Sequence, residues 1–421
     1  MPSGGAVHSI SCGRTDVWSK SEWPKMLTVW RAGPKLSQIH QLLNGKSTNV
    51  LQNAKMSSVR PSIQNYRMPA EWESHDAVWL QWPDASMRGT PSYARKLQST
   101  WLEMSAILGD HVNVRIAAAN ADVADDIRHD CARFGTNMAR VEVHAMPLDD
   151  VWVRDNGPIF VKSLGGELVA TEWNFNGWGE EAASKDRDRQ VPSVIAGLCG
   201  LKRKVGGIVT EGGAIEVNGS GTLMATRSSI LNPNRNPGKS QREVELALSE
   251  LLGVTNYVWL SGAPPNVCYE LGDATDFHID LVARFVGRNV VLANYTEDHN
   301  DPRKPYMDRH ITELKASTDE TGASLKVIPI PAPNMLSVST VRFSGVNHNI
   351  APGAATDASY SNYLVTNGLV LVPVYGRPED VRAKAILTEH FPDREVVGVS
   401  AISLTEQGGA IHCVTQQQPA V

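Results

Sequence analysis

No stretch of about eighteen apolar residues occurs in this chain, so no helix spanning a bilayer is expected. Cysteine is scarce: Cys12, Cys131, Cys199, Cys268 and Cys413 are odd in number and widely scattered. There is no CxxC pair and no Cys/His ligand spacing, so neither a disulfide framework nor a zinc site is expected, and no metal. A reducing, cytoplasmic compartment fits such thiols best. Charge of one sign is also lacking. The net charge is −5 without runs, which gives no electrostatic case for nucleic acid or an anionic membrane. The N-terminal residues lack the continuous apolar core of a signal peptide. Residues 1–66 are rich in Ser, Gly, Asn and Lys, with one short helix expected at Leu36 to Leu43. They read as a poorly ordered extension, leaving 67–421 as the folded domain.

What is present is a core. Hydrophobic residues make up 42% of the 421 and charged residues 20%, the balance of a globular protein. From Met68 onward a pattern recurs: apolar strand residues, often as a hairpin, then a helix, then another strand. The first unit has a strand at Ala77 to Trp82, a helix from about Tyr93 to Leu108 and a strand at Val112 to Ala117, with an extra helix (Ala121 to Phe134) and strand (Val141 to Ala145). The second pairs Pro158 to Val161 with Glu167 to Trp173 across Gly165-Gly166, before a helix from Pro192 to Leu198. The third pairs Ala214 to Val217 with Thr222 to Ala225. Its helix has Ser240 and Glu243 as a capping box and Gly253 as its stop. The fourth pairs Asp280 to Val286 with Val290 to Tyr295, then a helix from Pro305 to Ser317 and a strand from Leu325 to Ile330. The fifth turns at Asn367-Gly368, a strong hairpin signal, between Tyr363 to Thr366 and Leu369 to Val374. It ends with a helix at Pro378 to His390 and a strand at Val396 to Val399.

The first unit lacks one hairpin strand, and the chain ends with a spare one, Ala410 to Thr415. The economical solution is a closed ring of five units in which the last strand completes the first unit and few edges stay free. An open mixed α/β sheet is the plainer alternative.

Polar segments open these units: Asp149 to Gly157, Glu211-Gly212-Gly213, Asp273 to Asp280 and Ser359 to Asn362, while the spare strand carries Cys413. In a ring of like units such positions converge. Asp155, Glu211, His278, Asp280, Asn362 and Cys413 are therefore expected in one pocket. Singly, each has an ordinary reading: Asp155 beside Arg154 as a surface ion pair, Glu211 as a turn cap, His278 as a satisfied core histidine, Cys413 as a small buried hydrophobe. Together, Cys with His gives a nucleophile and a base. Surrounding acids raise a thiol's pKa, which suits a protease poorly. They suit a cationic substrate, because a buried guanidinium with its fixed donors needs carboxylates to meet it.

Met68 to Trp72, Trp152 to Pro158, Trp173 to Gly179, Glu211 to Gly213, Leu231 to Pro237 and Gly408 to Gln417 resemble the agmatine deiminase / bacterial peptidylarginine deiminase family. The resemblance runs in order from Met68 to the C-terminus. It implies a five-bladed α/β-propeller with pseudo-fivefold symmetry, no cofactor, and deimination of a guanidinium small molecule, agmatine or alternatively peptidyl-arginine. A homo-oligomer is compatible with it. By the same resemblance Cys413 is the nucleophile, His278 the general acid/base, and Asp155 and Asp280 the guanidinium clamp. Trp152, Glu211 and Asn362 are expected as substrate-binding members of the pocket. A non-catalytic guanidine- or polyamine-binding protein and a Cys amidase are the competing classes. Phe277 and Ala410 depart from the family pattern, which has Gly and Asn there, and Phe277 is expected to reshape the pocket.

Overall fold

The computed structural model describes residues 65–84, 91–179, 185–271, 273–334 and 358–421. The helix expected at Leu36 to Leu43 and nearly all of the extension lie outside the described residues. The fold is α/β and is built of five small sheets, none of which closes on itself.

Each sheet repeats one plan: an antiparallel pair of strands, a helix, then a strand parallel to the second of the pair. In the second unit Ile159–Ser163 pairs with Leu168–Glu172, and the helix Val191–Leu198 leads to the parallel strand Lys202–Val205. The third has Glu216–Val217, Thr222–Thr226, the helix Gln241–Leu252 and Asn256–Leu260. The fourth has Ala283–Gly287, Val290–Tyr295, the helix Lys304–Lys315 and Lys326–Pro331. The fifth has Leu364–Thr366, Leu369–Val374, the helix Glu379–His390 and Glu395–Ser400.

The first unit is completed from the other end of the chain. Thr415–Pro419 runs antiparallel to His75–Gln81, with Thr415 opposite Leu80, and Asn113–Ala118 and Val141–Ala145 follow in parallel. At the opposite edge of the second sheet, Tyr66–Arg67 pairs with Lys162 and Ser163. Tyr66 is therefore part of this sheet, one residue before the expected boundary at 67.

Local chemistry explains the elements. Gly368 takes φ +66° in the Asn-Gly turn, a conformation L residues with a β-carbon avoid. Ser240 and Glu243 cap each other reciprocally, and Gly253 closes the same helix in the left-handed region. That helix buries Val244, Leu248, Leu251 and Leu252 on one stripe. Inner strands such as Leu369–Val374 are buried on both faces, so they read as continuous apolar runs.

Three expected boundaries move, all for one reason. Ala214, Asp280 and Ala410 were assigned to strands. Instead 3-10 turns occupy Gly212–Ala214 and Ile279–Leu281, and the chain turns through Gly408–Val414 before its strand begins at Thr415. The Thr415 hydroxyl donates to the carbonyls of Ile411 and His412, which holds that last turn tight. Two edge strands, Lys202–Val205 and Asn256–Leu260, were not expected. Lys202–Val205 is exposed at every position and has no apolar pattern to betray it; its charges guard a free edge. Among the described residues no helix is long and apolar enough to cross a membrane.

Candidate active site

These turns place the functional side chains, because each lies where a unit's first strand begins. Asp155 is on the short helix Val153–Asn156, Glu211 precedes one 3-10 turn, and His278 precedes another that carries Asp280 at its centre. Asn362 and Cys413 sit in the turns before Leu364–Thr366 and Thr415–Pro419. All six are buried.

Cys413 is held by its neighbours rather than by a ladder. Its carbonyl accepts the Arg154 N–H at 3.3 Å, and its own N–H donates to Asn362 Oδ1 at 3.3 Å. The Asn362 amide donates to Cys413 Sγ at 3.2 Å, and Asp280 Oδ2 lies 3.8 Å from that sulfur. Burial, then the Asp280 and Asp155 carboxylates, push the thiol well above its ordinary pKa, so in the free protein it is protonated.

His278, Asp155 and Asp280 converge on one glycine. A β-carbon on Gly213 would meet His278 Nδ1 at 2.7 Å, Asp155 Oδ1 at 2.8 Å and Asp280 Oδ2 at 3.1 Å. Asp155 accepts from the Gly213 N–H at 3.1 Å and from Trp178 Nε1 at 3.0 Å. His278 stands 3.6 Å from Asp155 and 3.4 Å from Glu211. Burial alone lowers the His278 pKa, but Asp155 and then Glu211 overcome it and hold it at about 9. For Asp155 burial wins and the pKa rises, despite His278. Burial also opposes charge on Glu211, but Arg235 outweighs it and brings the carboxyl down to about 2, with Arg235 Nε donating at 2.9 Å. Asp280 is held below the usual range against its burial by a hydrogen bond from His412.

Trp152 lies beside Cys413 across Gly409. A β-carbon on Gly409 would strike its ring at 2.5 Å and the Cys413 Cβ at 3.1 Å. Phe277, expected to reshape the pocket, lines a cavity with Asp273, Leu281, Asn294 and His310. Its ring packs on Tyr306 and His310, at centroid distances of 5.9 and 6.1 Å. Its backbone does explain the family's glycine: φ is +65°, preceded by Asp276 at +59°. Asp273 holds the strained loop by accepting from the N–H groups of Thr275 and Phe277.

Several members were missed by sequence reasoning. Glu71 accepts from Arg284 Nη2 at 2.7 Å, and Arg284 also donates to Glu216 and to the carbonyls of Ser361 and Tyr363. His412 lies between Asp280 and Glu71. Glu71, Trp178, Arg235 and His412 sit inside the resembling segments and were legible there; Arg284 and Glu216 carried no local signal. Among the described residues no cluster of His, Cys, Asp or Glu could hold a metal ion.

Known proteins share this arrangement of chain. The agmatine deiminase of Ectopseudomonas mendocina (strain ymp) is 33% identical over 370 residues, covering 86% of this chain and 97% of that protein. A putative agmatine deiminase of Streptomyces avermitilis is 32% identical over 363 residues, covering 85% of this chain and 99% of that one. The solved agmatine deiminase of Enterococcus faecalis superposes with a TM-score of 0.75 at 30% identity, covering 84% of this chain and 96% of that structure. The family described as Porphyromonas-type peptidyl-arginine deiminase matches residues 67–419, and the chain belongs to that family.

Proposed function

We propose that this protein hydrolyses the guanidinium group of agmatine, giving N-carbamoylputrescine and ammonia through a covalent Cys413 intermediate. The observation that carries the reading is the meeting of a buried thiol, a histidine and two carboxylates around Asp280 and Gly213. Three buried acids and a protonated thiol are a poor nucleophilic site until a cation arrives. A guanidinium between Asp155 and Asp280 offsets their charge and favours the thiolate.

In this reading Cys413 loses its proton to bulk water as the cation binds; the thiolate Sγ then attacks the guanidinium carbon, and the C–N π electrons move onto nitrogen. His278, protonated at neutral pH, gives its proton to the leaving nitrogen as ammonia departs. The thiouronium that remains is attacked by water, whose proton passes back to His278. Collapse breaks the C–S bond and frees the ureido product, the adduct's hydroxyl proton passing to the departing sulfur to restore the thiol. Asp155 and Asp280 hold the cation planar and keep its carbon electrophilic. Trp152, Glu211 and Asn362 complete the pocket: Trp152 by lying beside Cys413, Glu211 by keeping His278 charged, Asn362 by donating to the sulfur.

The five like units are read as blades of a propeller with pseudo-fivefold symmetry, with the residues before Tyr66 outside the catalytic domain. Pairing of the C-terminal strand with the first unit supports that reading. Among the described residues Cys131, Cys199, Cys268 and Cys413 are in no disulfide, which fits a cytoplasmic setting. Depth favours a slender substrate: Cys413 is 5% exposed and Asp280 0%. The test is ammonia release from agmatine, free arginine and an arginine-containing peptide. Turnover of agmatine alone is expected; turnover of the peptide alone would replace this reading with peptidyl-arginine deimination.

A further inference from the structure

The His412 ring lies between two buried carboxylates. Its Nδ1 is 2.7 Å from Asp280 Oδ2 and its Nε2 is 2.8 Å from Glu71 Oε2. Both acids are ionised: Arg284, donating to Glu71 Oε2 at 2.7 Å, holds that carboxyl well below the usual range against its burial, and the Asp280 carboxyl is likewise lowered, with His278 and Arg284 among the cations near it. An ionised carboxylate only accepts hydrogen bonds. A neutral imidazole would therefore set one ring lone pair against one of these oxygens at contact distance. With all three residues essentially closed to water, no solvent relieves that clash.

We propose that His412 is a positioning residue, held as a doubly protonated imidazolium that aims Asp280 at the substrate. By donating to Oδ2 it leaves Asp280 Oδ1, a buried oxygen without a hydrogen-bond partner among the described residues, as the free acceptor for a guanidinium N–H. The arrangement rests on the deimination reading for what Oδ1 meets. Its geometry stands independently of that reading.

The groups around the ring make the imidazolium sustainable. Arg154 and Arg284 are the nearby cations. Arg154 Nε donates to the His412 carbonyl at 3.2 Å, on the backbone side. Arg284 is engaged by Glu71 and Glu216, with its guanidinium over the Tyr363 ring at 4.8 Å. Anion and cation thus alternate along Glu216, Arg284, Glu71, His412 and Asp280. Beyond Asp280 stand His278, Asp155 and the Cys413 thiol. The His412 N–H also donates to the Asn362 carbonyl at 3.1 Å, so the same residue orders the amide that faces the sulfur. His75, whose own pKa burial lowers to about 4, stays neutral near Glu71 and adds no competing charge.

Two measurements test this. A neutron structure of the full-length wild-type protein at neutral pH reads the protons directly. Deuterium on both Nδ1 and Nε2 of His412 is expected; density on one nitrogen only would overturn the proposal. The pH profile of kcat/KM for agmatine is then compared between wild type, His412→Asn and Glu71→Gln. Loss of the imidazolium lets the Asp280 pKa rise. The acid limb should therefore move to higher pH in His412→Asn, with a fall in kcat/KM of roughly tenfold or more at neutral pH. Glu71→Gln should move it the same way but less. A melting-point drop with an unmoved acid limb in both variants would make His412 merely structural. Were the wild type to act on no guanidine at all, the deimination reading would fail while the neutron result still decided the protonation.

Discussion

Gly213 and His278 are packed so that no side chain fits between them: a β-carbon on Gly213 would lie 2.7 Å from His278 Nδ1. The same atom would crowd Asp155 and Asp280, which makes Gly213 the point where three units of the fold meet in one site. Its φ is not in the left-handed region, so the glycine is there for space and not for backbone freedom. Gly213→Ala is therefore expected to fold normally but to displace the histidine and both carboxylates. A loss on the order of a hundredfold in kcat/KM follows from such a shift at the reacting centre. Near-normal kinetics in a folded Gly213→Ala protein would show that these three groups do not act together.

Cys413→Ser should abolish turnover while the melting temperature stays level. The two side chains are nearly the same shape, and the serine hydroxyl can accept from Asn362 as the sulfur does. At neutral pH a hydroxyl with no dedicated base is a far weaker nucleophile than a thiolate. Residual turnover comparable to wild type would remove the nucleophile assignment.

Much of this was legible in the sequence because it is encoded locally. The Asn367-Gly368 turn, the Ser240 capping box and the long strand and helix patterns need only neighbours in the chain. The recurrence of polar segments at one place in each unit then brought Asp155, Glu211, His278, Asp280, Asn362 and Cys413 together. Two of the turns, those carrying Asp280 and Cys413, read as strand because apolar residues such as Leu281 and Ile411 stand in them. Burial, not strand pairing, was the signal. Glu216 and Arg284 stayed invisible for a different reason. Their partners lie 68 residues apart or more, and a charged residue within a strand pattern looks like a solvated face until the partner is seen.

Two folded-state pKa values set the pH behaviour. His278 is raised to about 9 from an ordinary value of about 6.5, so its charged form stabilises the fold fully below about 6.5. That contribution is lost as the pH rises through about 9. Glu211, depressed to about 2, contributes above its ordinary value of about 4.5 and loses it as the pH falls through about 2. In the proposed role of acid to the leaving nitrogen, His278 should give kcat/KM an alkaline limb near pH 9. Glu211→Gln removes one of the charges that hold it up, so that limb should move to lower pH. An unmoved limb in Glu211→Gln would separate His278 from the proton transfer.

Truncation immediately before Thr415 keeps the thiol and removes the strand Thr415–Pro419 with Ala420 and Val421. His75–Gln81 would then lose its antiparallel partner, exposing the backbone beside Val78, Trp79 and Leu80, which are fully buried. The hydrogen bond from Gln416 Nε2 to the Pro158 carbonyl, a tie into the second unit, would go with it. The truncated protein is expected to lack a cooperative melting transition. A sharp thermal transition near that of the full chain would mean that the terminal strand is dispensable.

Asp155 and Asp280 should respond oppositely when neutralised, although both serve the same cation. Asp155→Asn and Asp280→Asn keep shape and remove charge. Each should lose on the order of a hundredfold or more in kcat/KM, as for deleting an electrostatic contact to the reacting group. Stability should divide them. Burial dominates at Asp155 and raises its pKa, so its charge is a standing cost to the free protein. An amide removes that cost, can still accept from Trp178, and should leave the melting temperature level or slightly higher. Asp280 is instead stabilised in its charged form, with His412 donating at 2.7 Å. Its amide would leave His412 facing a weaker acceptor and break one side of a buried ion pair, a loss on the order of 3 kcal/mol. Melting curves and kinetics on the two variants read both halves. Equal destabilisation with preserved turnover would make the pair structural; equal melting temperatures with lost turnover would mean that His412 contributes nothing through Asp280.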